Sequence, residues 1–336
     1  MTRTGPRNLI TDVGGLRVGN ASDDAILTGV TVLLPEKSMV VGADIRGGAP
    51  GTRETPALAP ENLVDDIHAI VLSGGSVFGL DAASEVTSAL ARQGKGFAFG
   101  QQAWPCPVVP AAILFDLMNG GDKDWGPDPP YRRLGREALA AASAQCPLGN
   151  VGAGAGAVAG ALKGGLGSAS CLVDGFTVGA LVAVNSIGSC VDPQTGQFWS
   201  LPHAVGGEMG PGAGRPAPGI GGTKLDRLAR AAQPGANTTL AIVATDAVLT
   251  KAEARRLAIM AGDGLAIAIR PLHTPFDGDS VFAAATCLRQ LPPERRLALA
   301  QIGAAAAVTL ARAVGRALWH AAPAGGFRSY RDILGA

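Results

Sequence analysis

Thr238 stands at a point where a threonine can do more than start a strand. The stretch PGANTTLAIVATD, residues 234–246, joins a loop of Pro, Gly and Ala to an apolar run through Asn237-Thr238-Thr239. Propensity alone accounts for a β-branched residue at a strand start. A threonine hydroxyl is also a nucleophile when a base lies beside it. If the peptide bond before Thr238 breaks, the residue's own α-amine is that base, a few bonds from Oγ and with an ordinary pKa of about 7.7–8.0. The hydroxyl attacks an amide carbonyl, the amine takes and then returns the proton, and water releases the acyl group. The same hydroxyl attacking Asn237 converts the peptide bond before it into an ester, whose hydrolysis exposes the amine. Such chemistry needs no histidine, and His68, His203, His273 and His320 are scattered.

Two further features suit a carbonyl-attacking site. Asp277 and Asp279 alternate around Gly278, so an extended segment puts both carboxylates on one side, directly before an apolar run. Acids so placed orient an ammonium or hydroxyl, or accept a proton if one carboxyl titrates high; the alternative is a solvated Asp-Gly turn. Asn185 closes the apolar run GFTVGALVAVN. Its side-chain amide is a donor suited to an oxyanion, and the alternative is an ordinary turn residue.

The elements that must carry these residues read as a mixed α/β fold, because short apolar runs alternate with amphipathic stretches. TGVTVLLPE and AIVLSGG are expected strands. After the second, Phe78, Ala82, Val86 and Leu90 recur on one helical face, with Gly94 where a C-terminal cap belongs. A strand through 178–184 delivers Asn185, and another follows Asn237. Thr250-Lys251-Ala252-Glu253 is a capping box opening a helix through Leu257, Met260 and Ala261. A last helix begins after Pro292-Pro293 and carries Leu297, Ile302 and Leu318 toward the C-terminus. Residues 207–236, rich in Gly and Pro with little to bury, read as an exposed linker leading to Asn237.

Composition narrows the function classes. Only 16% of the 336 residues are charged and 47% are hydrophobic, against about 25% charged in an average chain, so much of the surface is expected to be covered by further copies of the chain. Ala304–Ala307 in the last helix leave no polar residue for a full turn; a helix apolar on more than one face suggests a homo-oligomeric contact. A formal charge of +1 and 4% aromatics argue against nucleic acid and anionic lipid as partners. The N-terminal MTRTGPRNLITDVGG lacks a long apolar core, so a soluble, cytoplasmic protein is expected. Five cysteines, Cys106, Cys146, Cys171, Cys190 and Cys287, never fall in CxxC spacing and read as small core hydrophobes rather than metal ligands.

Three glycine-rich stretches imitate functional motifs. Gly154-x-Gly156-x-x-Ala159 matches a dinucleotide fingerprint in form, but no clean strand precedes it and Gly160, Gly164 and Gly165 interrupt the helix it needs. SGGSVFG places Phe78 where a nucleophile elbow requires Gly, leaving Ser76 as a turn or helix N-cap residue. Asp277-Gly278-Asp279 lacks the further ligands of a calcium loop. No cofactor and no metal are expected.

ITDVGGLRVGN, DIRGGAPGTRET, VLSGGSVFGLDAA, VPAAILFDL, VGAGAGA, KGGLGSAS, the Asn-Thr-Thr junction and HTPFDGDSVFAAAT occur in this order along nearly the whole chain. Their sequence resembles the DmpA/NylC-type family of self-processing amide hydrolases, which includes L-aminopeptidase/D-esterases, β-peptidyl aminopeptidases and nylon-oligomer hydrolases. The resemblance implies one domain, 1–336, folded as a four-layer αββα sandwich like that of N-terminal nucleophile hydrolases. It implies a cut into chains 1–237 and 238–336, a tetramer of such units, and small peptides or oligoamides as substrates. Thr238 would be the nucleophile, Asn185 the oxyanion donor, and Lys163 in KGGLG an active-site lysine that lowers the pKa of the new amine by like-charge repulsion; a solvated Lys163 is the alternative. The Asp277/Asp279 pair and the Asn-Thr junction resemble the nylon-oligomer hydrolase variant, whereas aminopeptidase relatives use Ser as nucleophile with Ser and Glu in place of the acids. Loop 119–133, NGGDKDWGPDPPYRR, is expected to shape the pocket. Two other classes stay open: an acyl transferase of the ornithine-acetyltransferase kind, and a non-catalytic oligomeric binding protein.

Overall fold

Strict alternation along the central strands sorts their side chains between two layers. In the computed structural model, which describes residues 3–215, 217–225 and 237–335, twelve strands are present among those residues. The first sheet has the order β1 (Leu16–Asp23), β2 (Thr28–Pro35), β5 (Ile70–Ser73), β6 (Ala111–Ile113), β4 (Gly51–Arg53). The second has the order β3 (Val40–Ile45), β12 (Ser280–Arg289), β11 (Thr238–Ala247), β10 (Phe176–Asn185), β9 (Gly165–Val173). A short hairpin, β7 (Val158–Ala159) and β8 (Leu162–Lys163), stands apart.

Leu181 and Ala183 of β10, Leu240 and Ile242 of β11 and Phe282 of β12 meet Leu33, Ile70, Leu72 and Ala112 of the first sheet in one buried layer. Their neighbours Val178 and Val182, Ala241 and Val243, and Val281 and Ala283 turn outward under α3 (Lys251–Ala268) and α4 (Arg295–His320). The outer face of the first sheet, with Val30, Val32 and Val71, lies under α1 (Asp81–Arg92) and α2 (Tyr131–Ala140). Helix, sheet, sheet, helix is the expected four-layer sandwich. Both expected early strands form, and the capping box is present, with Glu253 N–H donating to Thr250 Oγ1 at 3.2 Å and Thr250 N–H to Glu253 Oε2 at 2.8 Å.

Several expectations shift. Ala82, Val86 and Leu90 are buried as the helical face required, but Phe78 precedes α1 in a tight 3-10 turn, Ser76–Leu80, and is largely exposed, edge-on to Trp125. Ser76 is inside that turn at φ +53°, with Gly75 at its N-cap. Along α4, Ile302 and Leu318 are buried, while Leu297 in the first turn is 62% exposed. Cys106 is exposed and Cys287 half-buried, while the other three thiols are buried.

The expected linker divides in two. Met209 and Ala213 are buried in the core beneath α4, and Glu208 is paired with the fully buried Arg312 at 2.6 Å. Arg312 also donates to Ser170 O at 2.9 Å and Asn8 Oδ1 at 2.8 Å, so this buried charge is both paired and hydrogen-bonded. Residues 226–236 of the segment lie outside the described residues. Along α4 every residue from Thr309 to Trp319 is buried, because α3, the second sheet and residues 209–213 enclose that half of the helix within its own chain, whereas in the other half Ala304 is exposed and Ala305 and Ala307 are half-buried.

Candidate active site

The antiparallel register of β10 and β11 pairs Asn185 with Thr238. Directly opposed residues share a face, and the parity that sends Leu181, Ala183, Leu240 and Ile242 between the sheets sends Asn185 and Thr238 to the same side. The site therefore lies at the strand ends, at the rim of the layer between the sheets. Thr238 is 3% exposed and Asn185 fully buried.

The peptide planes on either side of Asn237 are both held by the edge of segment 276–278. Asn237 N–H donates to Phe276 O at 3.0 Å, and Gly278 N–H donates to Asn237 O at 2.7 Å, a parallel bridge to Asp277. Thr238 Oγ1 donates to the same carbonyl oxygen. The hydroxyl thus lies against the carbonyl of the preceding residue while a main-chain N–H polarises that carbonyl. Gly278 is required by this approach: a Cβ there would stand 2.6 Å from Thr238 Oγ1 and 2.8 Å from Ala49 O.

Asp277 and Asp279 form one wall, both 1% exposed. Asp277 accepts from Thr274 N–H at 2.9 Å, Thr274 Oγ1 at 2.7 Å and Ile187 N–H at 3.3 Å. Asp279 accepts from Thr239 N–H at 2.7 Å and His273 N–H at 3.1 Å, and its Oδ2 lies 2.9 Å from His273 Nδ1. Burial, reinforced by the charge of Asp279, pushes the Asp277 carboxyl above the usual carboxylate range. The turn reading of this pair is therefore superseded: the acids are buried receptors for the strand that carries Thr238, and they reach it through Thr239 and Gly278.

The opposite wall carries Lys163, fully buried. Its ammonium donates to Gly154 O at 3.1 Å, Ala157 O at 2.8 Å and Gly164 O at 2.9 Å, which occupies all three of its N–H groups. Burial pushes its pKa down to about 7, against the pull of the Asp116 carboxylate. Next to Ala157, Val158 N–H donates to Asn185 Oδ1 at 2.9 Å, and Asn185 Nδ2 donates to Phe115 O at 2.9 Å; this donor and this acceptor fix the orientation of the amide. Asn119 Nδ2 donates to the same Oδ1 at 3.0 Å and to Gly156 O at 2.9 Å. Behind them Asp116 is buried, accepting from Thr28 Oγ1 at 2.7 Å and Gly75 N–H at 2.8 Å, and burial raises its pKa.

All five residues singled out in the sequence, Thr238, Asn185, Lys163, Asp277 and Asp279, converge on this rim, with Asn237 at its centre. Asn119, Asp116, His273, Thr274 and Lys224 join them, although nothing in their own residue types marks them. Asp116, His273 and Thr274 lie inside the motifs VPAAILFDL and HTPFDGD, and Asn119 opens the loop expected to shape the pocket. The glycine-rich run that imitates a dinucleotide fingerprint instead supplies carbonyls that bind Lys163.

The architecture matches that of the L-aminopeptidase D-Ala-esterase/amidase of Ochrobactrum anthropi, described as a variant of the Ntn hydrolase fold, with a TM-score of 0.70 at 22% identity over 96% of this chain and 88% of that one. The fold is thus of the Ntn hydrolase type. The model of peptidase family S58 matches residues 8–331, and the chain belongs to that family. It is 44% identical to a protein named an uncharacterized aminopeptidase in Mycobacterium bovis, over 97% of this chain and 98% of that one. It is 29% identical to a 6-aminohexanoate-oligomer endohydrolase of a Kocuria species, over 86% of this chain and 78% of the relative. The protein is a hydrolase of amide or peptide bonds.

Proposed function

We propose that the chain cuts itself between Asn237 and Thr238, and that Thr238, as the new N-terminus of residues 238–336, is the nucleophile for hydrolysis of small peptides or oligoamides. What carries this reading is the junction itself: the Thr238 hydroxyl donates to the carbonyl oxygen of Asn237, and Gly278 N–H polarises that oxygen at 2.7 Å. Oγ adds to the carbonyl carbon, the C–N bond breaks, and the hydroxyl proton passes to the departing nitrogen. Water then cleaves the ester to an Asn237 carboxylate and a free Thr238 hydroxyl beside its own amine. With Thr238 only 3% exposed in the uncut chain, the cut also gives a substrate its access.

In the mature enzyme the Thr238 amine takes the hydroxyl proton as Oγ attacks the substrate carbonyl. Gly278 N–H and the second N–H of Asn185, whose first donates to Phe115 O, are the oxyanion donors. Lys163, when protonated, lowers the pKa of the amine by repulsion. Asp277 and Asp279 hold the 237–239 backbone against the attacking position. The names of the two relatives suggest α-amino and ω-amino acyl groups respectively as the first substrates to compare.

A homo-oligomer, a tetramer by family resemblance, belongs to the same reading. Its support is the exposed side of the N-terminal half of α4, with Leu297 and Ala304, together with the exposed Leu63, Phe99 and Trp104, apolar area of the kind that association covers. Sedimentation at micromolar concentration checks it: a single species near the 33.7 kDa of one chain would remove the assembly.

The primary test is intact mass and N-terminal sequencing of purified protein. The expected result is two fragments, one beginning at Thr238, with Thr238→Ala left as one inactive chain. A Thr238→Ala protein that still splits at this bond would overturn the proposal.

A further inference from the structure

The site contains a second lysine. Lys224 is 9% exposed, and its main-chain N–H donates to Ile187 O at 3.0 Å. Its ammonium donates to Asn237 Oδ1 at 2.6 Å and lies 3.4 Å from both the main-chain oxygen and Oδ1 of Asn185. Segment 185–187 therefore gathers four things: the strand partner of Thr238, the backbone anchor of Lys224, a second contact for its ammonium, and, through Ile187 N–H, Asp277. An ammonium at this crossing has a different setting from Lys163, whose partners are all main-chain carbonyls.

We propose that Lys224 is a positioning residue for self-cleavage, acting through the side chain of Asn237; the inference rests on the cut proposed above. Attack by Thr238 Oγ needs the Asn237 carbonyl held at a fixed angle to the hydroxyl that follows it. Two main-chain hydrogen bonds, to Phe276 O and from Gly278 N–H, hold the peptide planes on either side of Asn237 along one strand edge. They leave rotation about that edge to be restrained by the side chain, and the charge-assisted bond from Lys224 supplies that restraint. Such bonds are about twice as strong as neutral ones. The chemistry is the N-to-O shift already described: the Oγ–C bond forms, the C–N bond breaks, the hydroxyl proton goes to the nitrogen, and water later opens the ester. Lys224 enters neither bond.

The whole chain made by cell-free synthesis, with conversion to fragments followed over time, tests the assignment. Lys224→Met is expected to slow conversion about ten-fold or more, the scale on which a small displacement of reacting atoms acts. Lys224→Arg should recover part of the rate. Asn237→Ala, which removes the acceptor and leaves the lysine, should slow conversion similarly. The double variant Lys224→Met/Asn237→Ala should be no slower than the slower single, because both changes remove one interaction. A cooperative melt of Lys224→Met in the uncut Thr238→Ala chain separates positioning from misfolding. If wild-type chain stays whole, self-cleavage itself fails. If wild type converts and either Asn237→Ala converts as fast or the two single effects multiply in the double variant, the role given to Lys224 is overturned.

Discussion

The two walls around Thr238 bury charges of opposite sign in opposite surroundings. On one side the Lys163 ammonium is met by three carbonyls; on the other, Asp277 and Asp279 are met by main-chain N–H groups, the Thr274 hydroxyl and His273. The lysine draws only on dipoles of its own wall, whereas the acids also accept from Ile187 and Thr239 outside theirs. The acid wall touches the junction directly, through Gly278 N–H and the bond from Thr239 N–H to Asp279. The lysine wall reaches it at one remove, through Val158 and Asn185. Perturbing the acid wall should therefore alter the geometry of the reacting bond, whereas perturbing the lysine wall should alter charge and its pH dependence.

The sharpest way to break this comparison is Gly278→Ala. The added Cβ must displace the Thr238 hydroxyl or the 49–50 backbone, and we expect conversion and hydrolysis to fall by about 10² or more. Conversion at the wild-type rate would mean that the close approach of Gly278 to the hydroxyl does not matter. Next, Asp277→Asn and Asp279→Asn should each lower hydrolysis by roughly 10². They should also lower the thermal midpoint: all four carboxylate oxygens face donors, so one amide NH2 must meet an N–H or O–H, at about 1–3 kcal/mol. Wild-type rates at a lowered midpoint would leave the acids a structural role only.

The lysine wall should show itself in the pH dependence of stability. The folded Lys163 pKa, about 7, lies below its ordinary 10.5, so between these values the unfolded chain binds the extra proton. The stability contributed by this group is present above pH 10.5 and is lost as pH falls through about 7. Asp277 has the opposite sign: its carboxyl is raised above 3.8, so its contribution is present below 3.8 and lost as pH rises through the raised value. In the Thr238→Ala chain the midpoint should thus carry a component that rises from pH 6 to pH 9. Lys163→Met should flatten that component while lowering the midpoint overall, since three carbonyls lose their donor. An unchanged slope would show that Lys163 keeps its proton in the folded protein.

Much of the acid wall is legible in the amino-acid sequence. Asp277 and Asp279 directly precede a plain apolar run, and the junction at Thr238 begins another, so their elements can be named from the residues. The lysine wall is less so. Lys163 and Asn185 stand out mainly by resemblance, because a lone Lys among glycines and a lone Asn at a strand end look the same whether buried or solvated. Asn119, 66 positions from its partner Asn185, carries no local mark of that contact. The C-terminal half of α4 poses a related difficulty. An all-round apolar helix reports that it is covered, and nothing in its own residues says by which segment; here Met209, in a stretch that reads as linker, is part of the cover.

By itself the sequence determined where the apolar run of β10 stops and that of β11 starts, and therefore that Asn185 and Thr238 stand at strand termini. These features follow from local residue types, since a continuous apolar run marks a strand buried on both faces and a polar residue marks where it stops or starts. Only the tertiary structure decided the register that opposes the two residues, the carbonyls that surround Lys163, and the Gly278 N–H that lies on the Asn237 carbonyl. Main-chain N–H and C=O groups are the same on every residue but proline. Their selection as partners depends on where distant loops meet, and residue types along a single segment do not encode that meeting.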